Sequence, residues 1–119
     1  NRPIGVLTIA VWHFLPEDEI YDYQAQIRQA LAPGSCLALA HGCMDYATKE
    51  EVASAHALYQ HTTNPMRVRT REEIARLFEG FELIEPGLVP LNDWRPRKDD
   101  PYPEKSTELI AGVGVLRAR

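Results

Sequence analysis

Residues 4–12 form an almost unbroken apolar run that ends in His13-Phe14-Leu15-Pro16, and residues 36–40 form a second apolar run that ends at His41. Between them Ile20, Tyr23, Ile27, Ala30 and Leu31 recur at helical spacing and predict one buried helical stripe. The helix starts near Pro16 and the acids at 17–19, where proline suits the first turn and negative charge complements the helix dipole. Pro33-Gly34 stops it, since proline disfavours helical geometry before it and glycine tolerates the left-handed conformation after it. Two apolar strands joined by a helix predict parallel neighbours, buried on both faces. Ligands of such sheets collect at the carboxyl ends of the strands, where this chain carries His13 and His41.

Downstream, Thr48 with Glu51 and Thr70 with Glu73 repeat the spacing of a capping box and predict two further helices. Val52, Ala55, His56 and Tyr59 share a face of the first, which frays by Thr62–Pro65; Ile74, Leu77 and Phe78 share a face of the second. Gly80 ends that helix, and residues 81–85 alternate as a half-exposed strand does. Residues 86–103, rich in proline and charge, predict a long surface loop. Residues 108–116 predict a last strand, whose Gly112 and Gly114 let something bulky approach its backbone. A loop alone joins the last two strands, so they pair antiparallel. The fold class is α/β in a single domain.

Composition changes this picture little. The 119 residues are 45% hydrophobic and 25% charged, ordinary for a globular domain. A formal charge of −4 gives no electrostatic case for nucleic acid. No apolar stretch reaches the ~20 residues of a membrane span, and a secretory leader is not expected. Cys36 and Cys43 lie too close along one strand and its exit to pair, which fits a reducing cytoplasm. Although His41 lies between them, the spacing matches no zinc pattern, and buried inert thiols are the expectation.

Several segments together carry a resemblance. The stretch Val11-Trp12-His13-Phe14-Leu15-Pro16, the turn Leu31-Ala32-Pro33-Gly34-Ser35 and the helix-strand segment from Thr70 to Glu85 resemble the second half of class I S-adenosylmethionine-dependent methyltransferases. Leu39-Ala40-His41-Gly42, Glu85-Pro86-Gly87-Leu88-Val89-Pro90 and Trp94-Arg95-Pro96 look like the bacterial S-adenosyl methyltransferase family. The resemblance implies a partial Rossmann-like sheet, with parallel strands and an antiparallel carboxyl-terminal edge pair. It also implies S-adenosylmethionine as cofactor and a small-molecule methyl acceptor. The family's glycine-rich loop and ribose-binding acid have no counterpart, so residues 1–119 are expected to be the carboxyl-terminal half, with the cofactor-binding half upstream of Asn1. The first strand would then expose an unpaired edge.

On this resemblance Val11, Trp12 and His13 stand at the cofactor, with His13 as base or acceptor contact, or else as a histidine that fixes the strand-to-helix turn. Phe14, His41 and Tyr59 are the acceptor-side candidates, each against a packing role; no metal is expected. Arg67, Arg69 and Arg71 alternate on a short extended stretch and are expected to be a solvated approach to the next helix. Asp45 and Tyr46 are weaker acceptor candidates. A non-catalytic binding or dimerisation module of the same fold, including a homodimer, is the alternative to an enzyme.

Overall fold

The computed structural model describes residues 2–16, 19–45, 48–59, 67–99 and 109–118, with the side chains of His13, Val52, Ala55, His56 and Tyr59 outside that set. Expectations for Tyr46 and for the fraying at 62–65 fall outside it as well.

Strand β1 (Gly5–Ile9) is shorter than its apolar run. Ala10 takes a left-handed φ of 56°, turns the chain out of the sheet, and a 3-10 turn follows at Trp12–Phe14. Helix α1 (Glu19–Ala30) then leads to β2 (Cys36–Gly42) through Gly34, at φ 91°. Helix α2 (Lys49–Tyr59) begins with the Thr48 hydroxyl accepting from Glu51 N at 3.1 Å. Helix α3 (Arg71–Ala75) has a complete capping box: Thr70 Oγ1 accepts from Glu73 N at 3.2 Å, and Glu73 Oε1 accepts from Thr70 N at 3.0 Å. A 3-10 turn (Arg76–Phe78) and Gly80 lead into β3 (Phe81–Leu83).

The expected surface loop is corrected at its start. Val89–Pro90 is a two-residue strand, β4, and Leu88 before it is buried. Strand β5 (Leu109–Leu116) closes the sheet.

The sheet order is β1-β2-β5-β3, with β4 also on β5. β1 and β2 are parallel, in register from Gly5↔Cys36 to Ile9↔Ala40; β5 is antiparallel to β2, β3 and β4. Phe78 and Phe81 fill the space beside Gly112 and Gly114, which answers the expectation of a close approach there.

The core lies on one face of this sheet. Leu37, Leu39, Ile110 and Leu116 meet Ile20, Leu31, Ile74, Leu77 and Phe78 from the helical segments. The α1 stripe is corrected in one position. Gln24 is buried while Tyr23 is exposed, because the face set by Ile20 and Leu31 passes through the residue four after Ile20.

Burial of β1 on both faces is a third correction. Leu7 is 74% and Ile9 52% exposed, on the face shared with Ala38, Val113 and Val115, opposite the core. The molecule is 21 Å thick along its shortest axis, room for a sheet and one helix layer of about 10 Å each. Among the described residues, β1 has β2 as its one strand neighbour.

Candidate functional site at the carboxyl rim of the parallel strands

Parallel pairing brings the exits of β1 and β2 to one edge of the sheet. Ile9 lies opposite Ala40, and Ala10 N donates to Ala40 O at 3.0 Å, so the His13-bearing turn starts beside the strand that carries His41. Val11 is 46% exposed there. Trp12 is buried and stacks on Tyr23 of α1, with ring centroids 6.3 Å apart. Phe14 is half-buried. Trp12 thus walls the rim from the core side while Val11 faces outward. The exposed Tyr23 hydroxyl is held above its ordinary pKa, first by the negative charge of Glu19 and then by its hydrogen bond to Glu19.

His41 is completely buried. Its Nδ1 lies 2.7 Å from Gly42 O and its Nε2 lies 2.8 Å from Arg69 Nη1. A carbonyl only accepts and a guanidinium only donates, so the network assigns His41 the neutral Nδ1–H tautomer. Of the two readings for His41, this geometry supports the hydrogen-bonded structural one. Its imidazole offers no surface to a ligand.

Arg69 is the residue that sequence reasoning missed. The expectation of a solvated arginine stretch is corrected here: Arg69 is 3% exposed. Its Nη1 donates to Trp12 O at 3.1 Å and its Nη2 to Leu15 O at 3.0 Å. Its backbone is stitched to the exit of β2, with Arg69 N donating to Gly42 O at 3.1 Å and Met44 N donating to Arg69 O at 3.0 Å. Arg71 is exposed, yet its guanidinium also reaches protein, donating from Nε and Nη2 to Leu88 O at 3.2 and 3.0 Å. Asp45, weighed as an acceptor contact, instead takes a hydrogen bond from Arg71 N at 2.9 Å.

Glu73 is held below the usual carboxylate range, chiefly by the backbone N–H of Thr70, with Arg69 and Arg76 adding smaller attractions. Neither Cys36 nor Cys43 is in a disulfide, and Cys43 is buried. Among the described residues no three His, Cys, Asp or Glu side chains gather as a metal site would require, and no helix is long and apolar enough to cross a membrane. The side chains of His13 and Tyr59 lie outside the described set.

The parallel β1-α1-β2 unit, whose strand exits share one rim, and the antiparallel β5 and β3 beside it make this a Rossmann-like methyltransferase sheet. Residues 1–117 match the model of the S-adenosyl methyltransferase family, and the chain belongs to that family. S-adenosylmethionine is accordingly its expected cofactor. Among solved structures, a DUF574 family protein from Streptomyces avermitilis is 31% identical, with a TM-score of 0.82 over 97% of this chain and 45% of its own. A presumed methyltransferase from Thermobifida fusca is also 31% identical, with a TM-score of 0.84 over 98% of this chain and 44% of its own. A SAM-dependent methyltransferase from Methanosarcina mazei shares the fold at 13% identity, with a TM-score of 0.64 over 97% of this chain and 59% of its own. No curated protein matches. The chain spans under half the length of the first two relatives.

Proposed function

We propose that this chain is the carboxyl-terminal, acceptor-side half of an S-adenosylmethionine-dependent methyltransferase that acts on a small molecule. One observation carries the reading: the exits of β1 and β2 meet at a common rim, next to a β1 edge that no described strand covers. The two structures 31% identical to it are more than twice as long, which supports an upstream half that completes both sheet and site.

The rim fits part of the cofactor. Val11 offers an exposed apolar contact, and the buried Trp12 Nε1 has no hydrogen-bond partner among the described residues. Neither a glycine-rich loop after a strand nor an acid for ribose hydroxyls accompanies them in the sequence. The residues present therefore suit the methionine end, with Val11, Trp12 and His13 on the cofactor side and Phe14 and Tyr59 toward the acceptor.

When bound, S-adenosylmethionine supplies an electrophilic methyl group on a sulfonium. The protein's task in such an in-line displacement is alignment and exclusion of water. Where the acceptor carries a proton, His13 would take it while the methyl carbon exchanges its bond to sulfur for one to the acceptor. Trp12, packed against α1, closes the rim from below. Two cysteines outside any disulfide support a reducing, cytoplasmic setting.

Calorimetric titration with S-adenosylmethionine tests the reading in two arms. The chain alone is expected to bind weaker than micromolar; micromolar binding overturns the half-site. A chimaera that carries the upstream half of the Thermobifida fusca relative is expected to regain micromolar binding, and its failure overturns the methyltransferase reading. A dimer of this chain in solution that binds nothing would instead favour the non-catalytic module, for which the open β1 edge is the supporting feature.

A further inference from the structure

Arg69 reaches across the whole candidate rim. Its backbone belongs to the exit of β2, through the bonds to Gly42 O and from Met44 N, and its guanidinium ends at the exit of β1. The two carbonyls it grips, Trp12 O and Leu15 O, bracket His13. On the way it donates to His41 Nε2, so the buried imidazole fixes the direction of the fork. Only the planar guanidinium can serve divergent acceptors of this kind from one buried position; an ammonium is a point donor on a flexible stem.

We infer that Arg69 is a positioning residue that latches the His13-bearing turn to the end of β2, with His41 as the brace that orients it. Besides the burial of Trp12, the backbone bonds of the turn are short-range ones. Its internal bonds are Phe14 N to Val11 O at 3.2 Å and Leu15 N to Trp12 O at 3.1 Å, both in the upper part of the usual range. Ala10 keeps one bond to β2, from its N to Ala40 O, and its left-handed conformation then turns the chain out of the sheet. A segment with few ladder bonds opens locally unless side chains fasten it. Arg69 fastens it at both ends. The catalytic meaning of the latch rests on the proposed methyltransferase function, since His13 is the group it would hold toward the reacting atoms.

Amide hydrogen exchange of this chain, which needs no cofactor, tests the latch separately from that function. In Arg69→Met, exchange at Phe14 and Leu15 is expected to rise about tenfold or more beyond any rise at Leu116, the equivalent of one charge-assisted hydrogen bond lost from the local opening. Leu116 N donates to Ser35 O at 2.7 Å, remote from the rim, and reports global opening. The core variant Leu77→Val should raise all three amides together. An Arg69→Met profile like that of Leu77→Val makes the arginine merely structural and overturns the inference. Arg69→Lys, which keeps charge without the fork, is expected between wild type and Arg69→Met; full protection by lysine would also overturn it. If Arg69→Met does not fold, the wild-type guanidinium still decides. Its Nη protons should exchange far more slowly than those of exposed arginines, and His41 should show a protonated Nδ1 by long-range nitrogen-proton NMR. Fast Nη exchange, or an Nε2–H tautomer, would refute the latch.

Discussion

Truncation of His41 separates a brace from a ligand contact. His41→Ala removes the bond to Gly42 O at 2.7 Å and the acceptor 2.8 Å from Arg69 Nη1, and it opens a void in a wholly buried place. Both partners are cushioned. Gly42 O keeps the donor Arg69 N, and Arg69 Nη1 keeps Trp12 O. The loss is thus one ordinary bond, one charge-assisted bond and a partly relaxed cavity, together about 3–5 kcal/mol. For 119 residues the unfolding entropy is about 0.25 kcal/mol/K, so each kcal/mol moves the midpoint by about 4 °C. Thermal unfolding followed by circular dichroism should show a fall of about 12–20 °C. Val11→Ala, at an exposed rim position, should stay within about 2 °C, since surface changes cost at most about 0.5 kcal/mol. A His41→Ala protein that melts within about 3 °C of wild type would refute the structural assignment, for only a side chain that faces solvent or ligand is so cheaply removed.

Other consequences are open to the same kind of measurement. Gly114→Ala places a Cβ 2.8 Å from Phe81 Cβ, whereas Gly112→Ala meets nothing closer than 3.2 Å. The first should lower the urea midpoint by the equivalent of about 1–3 kcal/mol and the second by less, and the reverse order would contradict the packing between β3 and β5. Thr70→Ala breaks the capping box and should cost about 1 kcal/mol in the same assay. Because the folded Glu73 carboxyl is depressed, its stabilising contribution is complete above its ordinary pKa of 4.5 and disappears as pH falls through the lower folded value. Glu73→Gln should therefore flatten the acid limb of a stability-pH curve, and an unchanged limb would count against the capping charge. Leu7→Lys, at a 74% exposed edge position, should leave stability within about 0.5 kcal/mol and reduce self-association in light scattering; a large loss of stability would mean that Leu7 is covered.

The parts of the fold legible in the sequence are those where one residue type decides a local conformation. Pro33-Gly34 marks the end of α1, Thr70 with Glu73 marks the start of α3, and the crossover rule orients β2 against β1. Legibility fails where tertiary contact decides. Gln24 scores as polar, so the apolar stripe is assigned to Tyr23, yet the face set by Ile20 and Leu31 leaves no such choice. Val89–Pro90 lies in a stretch whose prolines speak for a loop, but β5 offers it a free antiparallel edge. The apolar run of β1 reads as doubly buried although helices cover only one of its faces. At the rim, His13 and His41 are visible because they end apolar runs. Nothing local distinguishes Arg69 from Arg67 or Arg71, because its role depends on two carbonyls more than fifty residues earlier.

Those carbonyls belong to a wider arrangement of the functional edge. Arg69 donates to Trp12 O and Leu15 O, Arg71 to Leu88 O, and Arg95 to Glu85 O at 3.1 and 2.8 Å. Each guanidinium seizes the backbone of a loop, not the end of a mobile acidic side chain, so the fixed partner limits the entropy that the bond must overcome. Core packing contributes at single points, since Trp12 and Leu88 anchor two of these loops in the core, and the guanidinium contacts fix the backbone around those anchors. The carboxyl edge is thus organised by polar contacts that owe nothing to the open apolar face. A second layer laid on that face would add hydrophobic stability to the sheet, while the shape of the rim around His13 is already set by Arg69.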